Sequence, residues 1–249
     1  MQSFLNIKHS LITKNQGLAY EEPVRIEQLD PEIADALQGC FLILSLLLRY
    51  PESDVYKRLE GHLKDFVPFF QGYSSKKVEL IPLEELQAEY IRLFVNNQGF
   101  VPVVPYCSYY LDADKLLGGT TLDRIRSIMG KTGFVLEEGQ GELEDHLAVL
   151  LEFCARILTD LFQTDGRDFE IRVQALFQIC YRYLLPASRD ACRLIREHAR
   201  YEFYPVVGDI LVNFMLDLDR QFAGLTGSYM EADPGVYNHT EANARTNFE

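Results

Sequence analysis

The residues best suited to chemistry lie between Glu142 and Leu147, where an aspartate stands beside a histidine at the predicted start of a helix. Asp145 is placed to orient the imidazole of His146 and to bias its protonation. The acidic residues from Glu137 onward favour a helix that begins here, because a helix N-terminus carries a partial positive charge. They also create a local negative field that attracts a cationic ligand. The segment therefore predicts a polar contact point at a helix N-terminus.

A purely structural interpretation of His146 stands beside this one. Apolar residues follow the histidine at helical spacing, namely Leu150, Phe153, Ile157 and Leu161. An imidazole at the head of such a stripe half-buries on the core face of its helix without binding a ligand. The residues alone leave both interpretations open.

Other catalytic patterns fail at specific positions. Gly130-Lys131-Thr132 resembles the end of a phosphate-binding loop, but Ile125 stands where that loop needs its first glycine. Cys107 has no cation nearby in sequence to activate its thiol. Neither His146 nor His198 follows a glutamate by three residues, as the ligands of a di-metal helix bundle do. No cofactor and no metal site are therefore expected.

The composition is that of an acidic globular protein. The 249 residues are 47% hydrophobic and carry a net charge of −13, with a pI near 4.9. This charge argues against nucleic acid as a partner and suits basic peptides or basic protein segments. The five cysteines lack metal-type or paired spacing, which indicates a reducing compartment and so the cytoplasm. No apolar run reaches the roughly twenty residues of a membrane span, and residues 1–20 lack the features of a secretion signal.

Apolar residues recur at the helical period almost throughout, which predicts an all-α fold with a single bundle-like domain. Residues 96–117 break this period, and their glycines, prolines and aromatic residues predict a long irregular connection between an N-terminal and a C-terminal helical part. Pro186 is expected to separate two helices. The predicted helices run over residues 30–50, 54–66, from 82 to about 94, 122–131, 142–162, 168–184, 188–198 and from 204 onward.

The chain divides into three regions on the same evidence. Residues 1–29 are expected to form an N-terminal extension. Residues 30–225 form the all-helical domain, with subparts of about 30–118 and 119–225. Residues 226–249 are small and polar, which predicts a poorly ordered tail.

Three segments in this order resemble the motifs of the TorD/DmsD/NarJ family of cytoplasmic redox-enzyme maturation chaperones. Glu89-Tyr90-Ile91-Arg92-Leu93-Phe94 resembles the family's E-Y-x-R-L-F helix. Pro105-Tyr106-Cys107-Ser108-Tyr109-Tyr110 resembles its P-Y-x-S-x-Y loop, and Glu142-Leu143-Glu144-Asp145-His146-Leu147 resembles its E-x-P-D-H-L motif. The resemblance covers roughly residues 33–223. Glu144 replaces the family's proline, which bears on how the Asp-His pair is presented.

The resemblance implies an all-helical, non-enzymatic chaperone for the precursor of a molybdopterin-containing catalytic subunit. Such a chaperone binds the twin-arginine signal peptide, the apo-subunit or both. It assists cofactor insertion and delays export until the subunit is mature. The client-binding residues that the resemblance implies are Asp145, His146, Glu142, Tyr106, Ser108 and Tyr110.

Physical chemistry is consistent with these roles. Arginines of a client find charge-assisted partners in Asp145, Glu142 or Glu144. An apolar stretch of the client lies against Tyr106, Tyr110 and Phe100. By contrast, Tyr90 and Arg92 are expected to hold helices together rather than to contact a client.

Two other functions remain open from the sequence. One is a nucleotide- or metal-dependent hydrolase centred on Asp145 and His146. The other is a general helical adaptor whose acidic residues are only a solvated face. Helix exchange between bundles also leaves a homodimer open.

Overall fold

The structure is a computed structural model that describes residues 31–70, 72–136, 141–161, 163 and 166–221. The expectations for residues 1–29 and 226–249, and for the acidic residues at 137–140, lie outside this part of the chain. Among the described residues, none of the helices is both long and apolar enough to cross a membrane.

The described residues form helices joined by short connections, and the prediction of an all-α fold is confirmed. Strand-like pairing within them is limited to two isolated bridges, one between Asn97 and Phe100 and one between Tyr106 and His146. Two π-helical turns, Ile91–Val95 and Ile179–Leu184, continue the α-helices Leu83–Tyr90 and Gly166–Gln178. The helices are α1 (Pro31–Leu47), α2 (Ser53–Phe70), α3 (Leu83–Tyr90), α4 (Cys107–Leu111), α5 (Gly119–Lys131), α6 (Leu147–Leu161), α7 (Gly166–Gln178), α8 (Leu185–His198) and α9 (Phe203–Gln221).

The connection predicted over residues 96–117 contains one more helix than expected. The short α4 occupies Cys107–Leu111, inside the segment predicted to be irregular. The following helix, α5, begins at Gly119, three residues before the predicted start. The reason lies in Asp112, whose carboxylate accepts hydrogen bonds from the Thr121 amide at 3.2 Å and the Thr121 hydroxyl at 2.7 Å. Asp112 thereby satisfies an amide that the first turn leaves without a helical partner.

The predicted break at Pro186 is wrong. The chain stays helical from Gly166 to His198, and Pro186 lies in the first turn of α8. Proline lacks an amide hydrogen and its ring crowds the carbonyl four residues before it, which a regular α-helix does not accommodate. The wider turn Ile179–Leu184 directly before α8 moves the hydrogen bonds to a five-residue spacing, with the Leu185 amide donating to the Cys180 carbonyl. The proline therefore falls where the hydrogen-bond register changes.

The core lies where α1 packs along α6, and α9 also packs against α1. Ser45 is buried on α1, and its hydroxyl donates to the Ala148 carbonyl of α6 at 2.8 Å. Phe41 of α1 meets Phe214 of α9 edge to face, with ring centroids 5.3 Å apart. Because α1 and α6 are held together in this way, the segments directly before α6 and after α1 come to one end of the bundle.

Candidate functional site

The second and third sequence motifs form one structural unit. The chain around Tyr106 runs antiparallel to the chain around His146. The Cys107 amide donates to the Asp145 carbonyl at 3.0 Å, and the Leu147 amide donates to the Pro105 carbonyl at 2.9 Å. The aromatic connection is therefore fixed to the start of α6 by main-chain hydrogen bonds.

The prediction that the helix begins at Glu142 is wrong, because α6 begins at Leu147. His146 is the residue that caps it. The His146 carbonyl accepts the Leu150 amide at 3.0 Å, which is the first helical hydrogen bond, and the His146 Nδ1 accepts the Ala148 amide at 3.1 Å. A side-chain acceptor at this position satisfies one of the amides that a helix start leaves unbonded. Glu142 therefore lies before the first turn rather than within it.

The His146 imidazole is a neutral group of the core. Its side chain is almost fully buried, and burial lowers its pKa to about 3, with a smaller contribution from the Arg49 guanidinium. An imidazole that accepts a hydrogen bond at Nδ1 carries its proton on Nε2, and Nε2 has no hydrogen-bond partner among the described residues. Tyr106 covers the ring edge to face, with centroids 5.0 Å apart.

Asp145 does not hold His146, contrary to the sequence prediction. Its carboxylate is fully buried and accepts the Ser108 amide through Oδ2 at 2.9 Å. Burial raises the pKa of Asp145, while the Ser108 hydroxyl and amide act in the opposite direction. Ser108, itself buried, also accepts the Gly118 amide at 3.1 Å. Asp145 therefore fixes the start of α4, just as His146 fixes the start of α6.

The groups that reach the surface at this unit are a tyrosine and a carboxylate. Tyr106 is half-buried, and its hydroxyl donates to the exposed carboxylate of Glu142. Burial is the largest cause that raises the pKa of Tyr106, and the hydrogen bond to Glu142 raises it further. Glu144 forms an ion pair with Arg126 at 2.9 Å. Partial burial acts to raise the pKa of Glu144, but the hydrogen bond from Arg126 outweighs burial, and the pKa is lowered.

The first motif borders the same unit through Tyr90. Tyr90 is buried, meets Tyr50 edge to face at 5.5 Å, and lies within electrostatic range of Glu142 and Arg49. Arg49 itself pairs with Glu152 of α6. Tyr50 is 37% exposed and adds a second aromatic ring to this end of the bundle. Tyr50 is not among the predicted site residues. The position of Tyr50 directly before Pro51 was a sequence signal that this residue lies at a helix end.

Arg92 has the structural role expected of it. Its guanidinium forms two hydrogen bonds to the buried carboxylate of Glu89, at 2.9 and 2.8 Å, and a third to the His198 carbonyl at 2.5 Å. Glu89 also accepts the Arg200 amide at 2.6 Å. This buried pair joins α3 to the connection between α8 and α9.

Tyr110 and Phe100 stand apart from the Tyr106–Glu142 pair. Tyr110 packs edge to face on Tyr109 at 5.2 Å, and burial and the neighbouring Asp190 of α8 are among the causes that raise its pKa. Phe100 lies beside His198, with ring centroids 6.3 Å apart. Of the six residues predicted for the site, the structure thus brings together Tyr106, Ser108, Glu142, Asp145 and His146.

The geometry does not support catalysis by these groups. A hydrolytic acid–base pair needs a hydrogen bond between its carboxylate and its imidazole, whereas Asp145 and His146 each bond to a main-chain amide. Burial raises the pKa of the Cys107 thiol well above its usual range, so it is a poor nucleophile. Lys131 ends a helix, whereas the lysine of a phosphate-binding loop begins one. Within the described residues, no three His, Cys, Asp or Glu side chains are grouped to hold a metal ion.

The family model described as "Nitrate reductase delta subunit" matches residues 54–186. The chain is 29% identical over 139 residues to the chaperone protein TorD of Aliivibrio salmonicida, covering 55% of this chain and 64% of that protein. It is 28% identical over 127 residues to the Tat proofreading chaperone DmsD of Salmonella typhi, covering 51% of this chain and 57% of that protein. The match therefore spans less than two thirds of each relative.

A solved structure is also similar. It is a candidate redox enzyme maturation protein from Archaeoglobus fulgidus, with a TM-score of 0.48 and 19% sequence identity. The similarity covers 81% of this chain and 99% of that one.

Proposed function

Since this chain belongs to the nitrate reductase delta subunit family, the TorD/NarJ family that its motifs resemble, we propose that it is a non-enzymatic chaperone for the precursor of a molybdopterin-containing catalytic subunit. It binds the twin-arginine signal peptide, the apo-subunit or both in the cytoplasm. It assists cofactor insertion and delays export until the subunit is mature.

The observation that carries this proposal is the hydrogen-bonded pair of the half-buried Tyr106 and the exposed Glu142, which lies above the buried Asp145 and His146. A guanidinium is a planar donor that bonds strongly to a carboxylate and stacks on an aromatic ring. Glu142 offers the carboxylate and Tyr106 the ring, and Tyr50 provides a second ring at the same end of the bundle. The net charge of −13 attracts a basic peptide to this surface.

The predicted site residues then divide into two roles. Glu142 and Tyr106 contact the client, because their side chains reach the surface. Asp145, His146 and Ser108 act as positioning residues, because all three are buried and each side chain accepts a hydrogen bond from a main-chain amide. Tyr110 supports α4 from the side that faces α8.

The test is calorimetric titration of the whole chain with synthetic leader peptides of the molybdoenzyme catalytic subunits encoded in the same genome. Glu142→Gln should weaken binding by about tenfold through loss of a charge-assisted hydrogen bond, and Tyr106→Ala by about the same factor through loss of a cation–π contact. Glu60→Gln serves as the matched control, because it removes the same charge from an exposed position on α2. A leader peptide with both arginines replaced by glutamine should bind neither the wild type nor any of these variants.

Equal affinity of wild type and Glu142→Gln for the leader would overturn the assignment of the site. Failure of every leader to bind would overturn the proposed leader recognition itself. Turnover of a nucleotide without any leader binding would favour the hydrolase instead.

A further inference from the structure

Four exposed apolar side chains lie on the π-helical turn that continues α3 and on the connection after it. Ile91, Val95, Phe100 and Val101 are 43%, 53%, 53% and 38% exposed. Ile91 and Val95 extend the face of α3 that begins with Glu84 and Ala88, at successive spacings of four, three and four residues. Grouped apolar exposure on a folded chain marks an interaction surface more often than single exposed side chains do. We call this group, from Glu84 to Val101, the α3 face.

Phe100 is presented by a tight, strained hairpin. The Asn97 amide donates to the Phe100 carbonyl at 2.7 Å, and the Phe100 amide donates back at 3.3 Å. Gln98 and Gly99 both have positive φ, at 53° and 96°, as a type I′ turn requires. A glutamine in this region costs backbone energy, and such strain gathers at binding sites that need a fixed geometry. The hairpin thus holds an exposed aromatic ring in place before any partner arrives.

A cavity of about 220 Å³ lies at the other end of the α3 face, and its charged lining residues include Glu84, Glu85 and Arg200. Glu84 and Glu85 are exposed at its rim, and Glu85 accepts a hydrogen bond from Tyr201. Glu89 and Arg92 line its floor but are bonded to each other. At the rim, the two exposed carboxylates of Glu84 and Glu85 outnumber the one exposed guanidinium, that of Arg200, so the balance of charge beside the apolar stripe is negative.

We propose that the α3 face is a second docking surface, distinct from the Tyr106–Glu142 pair, and that it binds an amphipathic helix of a partner protein with basic side chains beside its apolar stripe. The stripe from Glu84 to Val95 is about 16 Å long at the rise of an α-helix, which matches three turns of a partner helix. The basic side chains meet Glu84 and Glu85, and the apolar ones meet Ile91, Val95 and Phe100.

Charge decides between this partner and a second copy of the chain. A symmetric pair would bring Glu84 and Glu85 of both copies to one interface, between molecules that each carry −13. Like charges placed together disfavour that contact, whereas a basic helix neutralises them. The α3 face therefore suits a cationic amphipathic partner better than itself.

The test uses the whole chain, with its Tyr106–Glu142 pair saturated by unlabelled leader peptide, and a labelled synthetic helix of about five turns that has leucines on one face and arginines along its edges. Its control is a peptide of the same composition in scrambled order. Fluorescence anisotropy should show that Val95→Asp weakens binding of the amphipathic helix by about tenfold, as loss of a central apolar contact does. Val135→Asp is the matched control, since Val135 is 81% exposed and lies outside the α3 face. Glu84→Gln with Glu85→Gln should also weaken binding.

Circular dichroism of each variant checks that the fold is retained, and leader peptides should bind Val95→Asp as they bind the wild type. Three results would overturn the proposal. In the first, Val95→Asp binds the helix as tightly as the wild type. In the second, the scrambled peptide binds as well as the ordered one, so that charge alone is responsible. In the third, sedimentation shows a wild-type dimer that Val95→Asp dissociates, so that a second copy occupies the face.

Discussion

Acid should destabilise this protein through His146, and the effect can be isolated by one substitution. Burial holds the imidazole neutral in the folded chain with a pKa of about 3, against 6.5 for an exposed histidine. Between these values the unfolded chain takes up a proton that the folded chain does not. Stability that is present above pH 6.5 is therefore lost as the pH falls toward 3.

The size of the effect follows from the same two values. At pH 5.0 the unfolded imidazole is almost fully protonated while the folded one is not, and this costs about 2 kcal/mol relative to pH 7.5. Asp145 acts in the opposite direction, since burial raises its pKa and the folded chain protonates it more readily. The comparison must therefore remove His146 alone and leave Asp145 in place.

The variant for this purpose is His146→Asn, whose amide oxygen retains an acceptor for the Ala148 amide. Urea unfolding at pH 7.5 and 5.0 gives the free energy of unfolding of each protein. The decrease on acidification should be about 2 kcal/mol larger for the wild type than for His146→Asn. An equal decrease in both proteins would refute the neutral, buried imidazole.

Three further predictions concern packing and backbone strain. Glu89→Gln leaves Arg92 without its buried carboxylate, and urea unfolding should show a loss of about 3 kcal/mol; an unchanged midpoint would contradict the buried pair. Gly208→Ala places a methyl group 2.9 Å from the Cys192 sulfur, where α8 and α9 meet. Thermal unfolding should show a cost of about 2 kcal/mol that is smaller in a Cys192→Ala background, and an equal cost in both backgrounds would contradict the contact. Gln98→Val should destabilise the chain by about 1–2 kcal/mol, because a β-branched residue tolerates positive φ poorly, whereas Gln98→Gly should not; equal melting temperatures would argue against the strained turn.

The helical class was predictable because long apolar stripes at one period carry most of the fold. The stripe from Leu150 to Leu161, for example, is the buried face of α6. Boundaries were less accessible, since they depend on contacts between distant residues. Asp112 moves the start of α5 through its bonds to Thr121, and a π-helical turn carries the chain through Pro186. Neither effect is visible in local spacing.

The meeting of the two motif segments was predictable from the sequence, but the contacts of their side chains were not. The motifs around Tyr106 and Asp145 do meet, as their order and resemblance indicated. Adjacency in sequence suggested that Asp145 orients His146, but each side chain turns to a main-chain amide instead. The pairing between the two segments produces this outcome, and a single sequence does not reveal such pairing. The same pairing leaves Glu142 exposed while Asp145 and His146 are buried, and this difference was not visible in the sequence either.

The proposed function is binding of the precursor of a molybdoenzyme catalytic subunit. Its most direct test is affinity purification of the tagged chain from anaerobically grown source cells, followed by mass spectrometry of the proteins that co-elute. We expect a large molybdopterin-type subunit with its twin-arginine leader intact, and a reduced yield of that subunit with Glu142→Gln. Absence of any molybdoenzyme subunit, under conditions in which such a subunit is expressed, would contradict the proposed function.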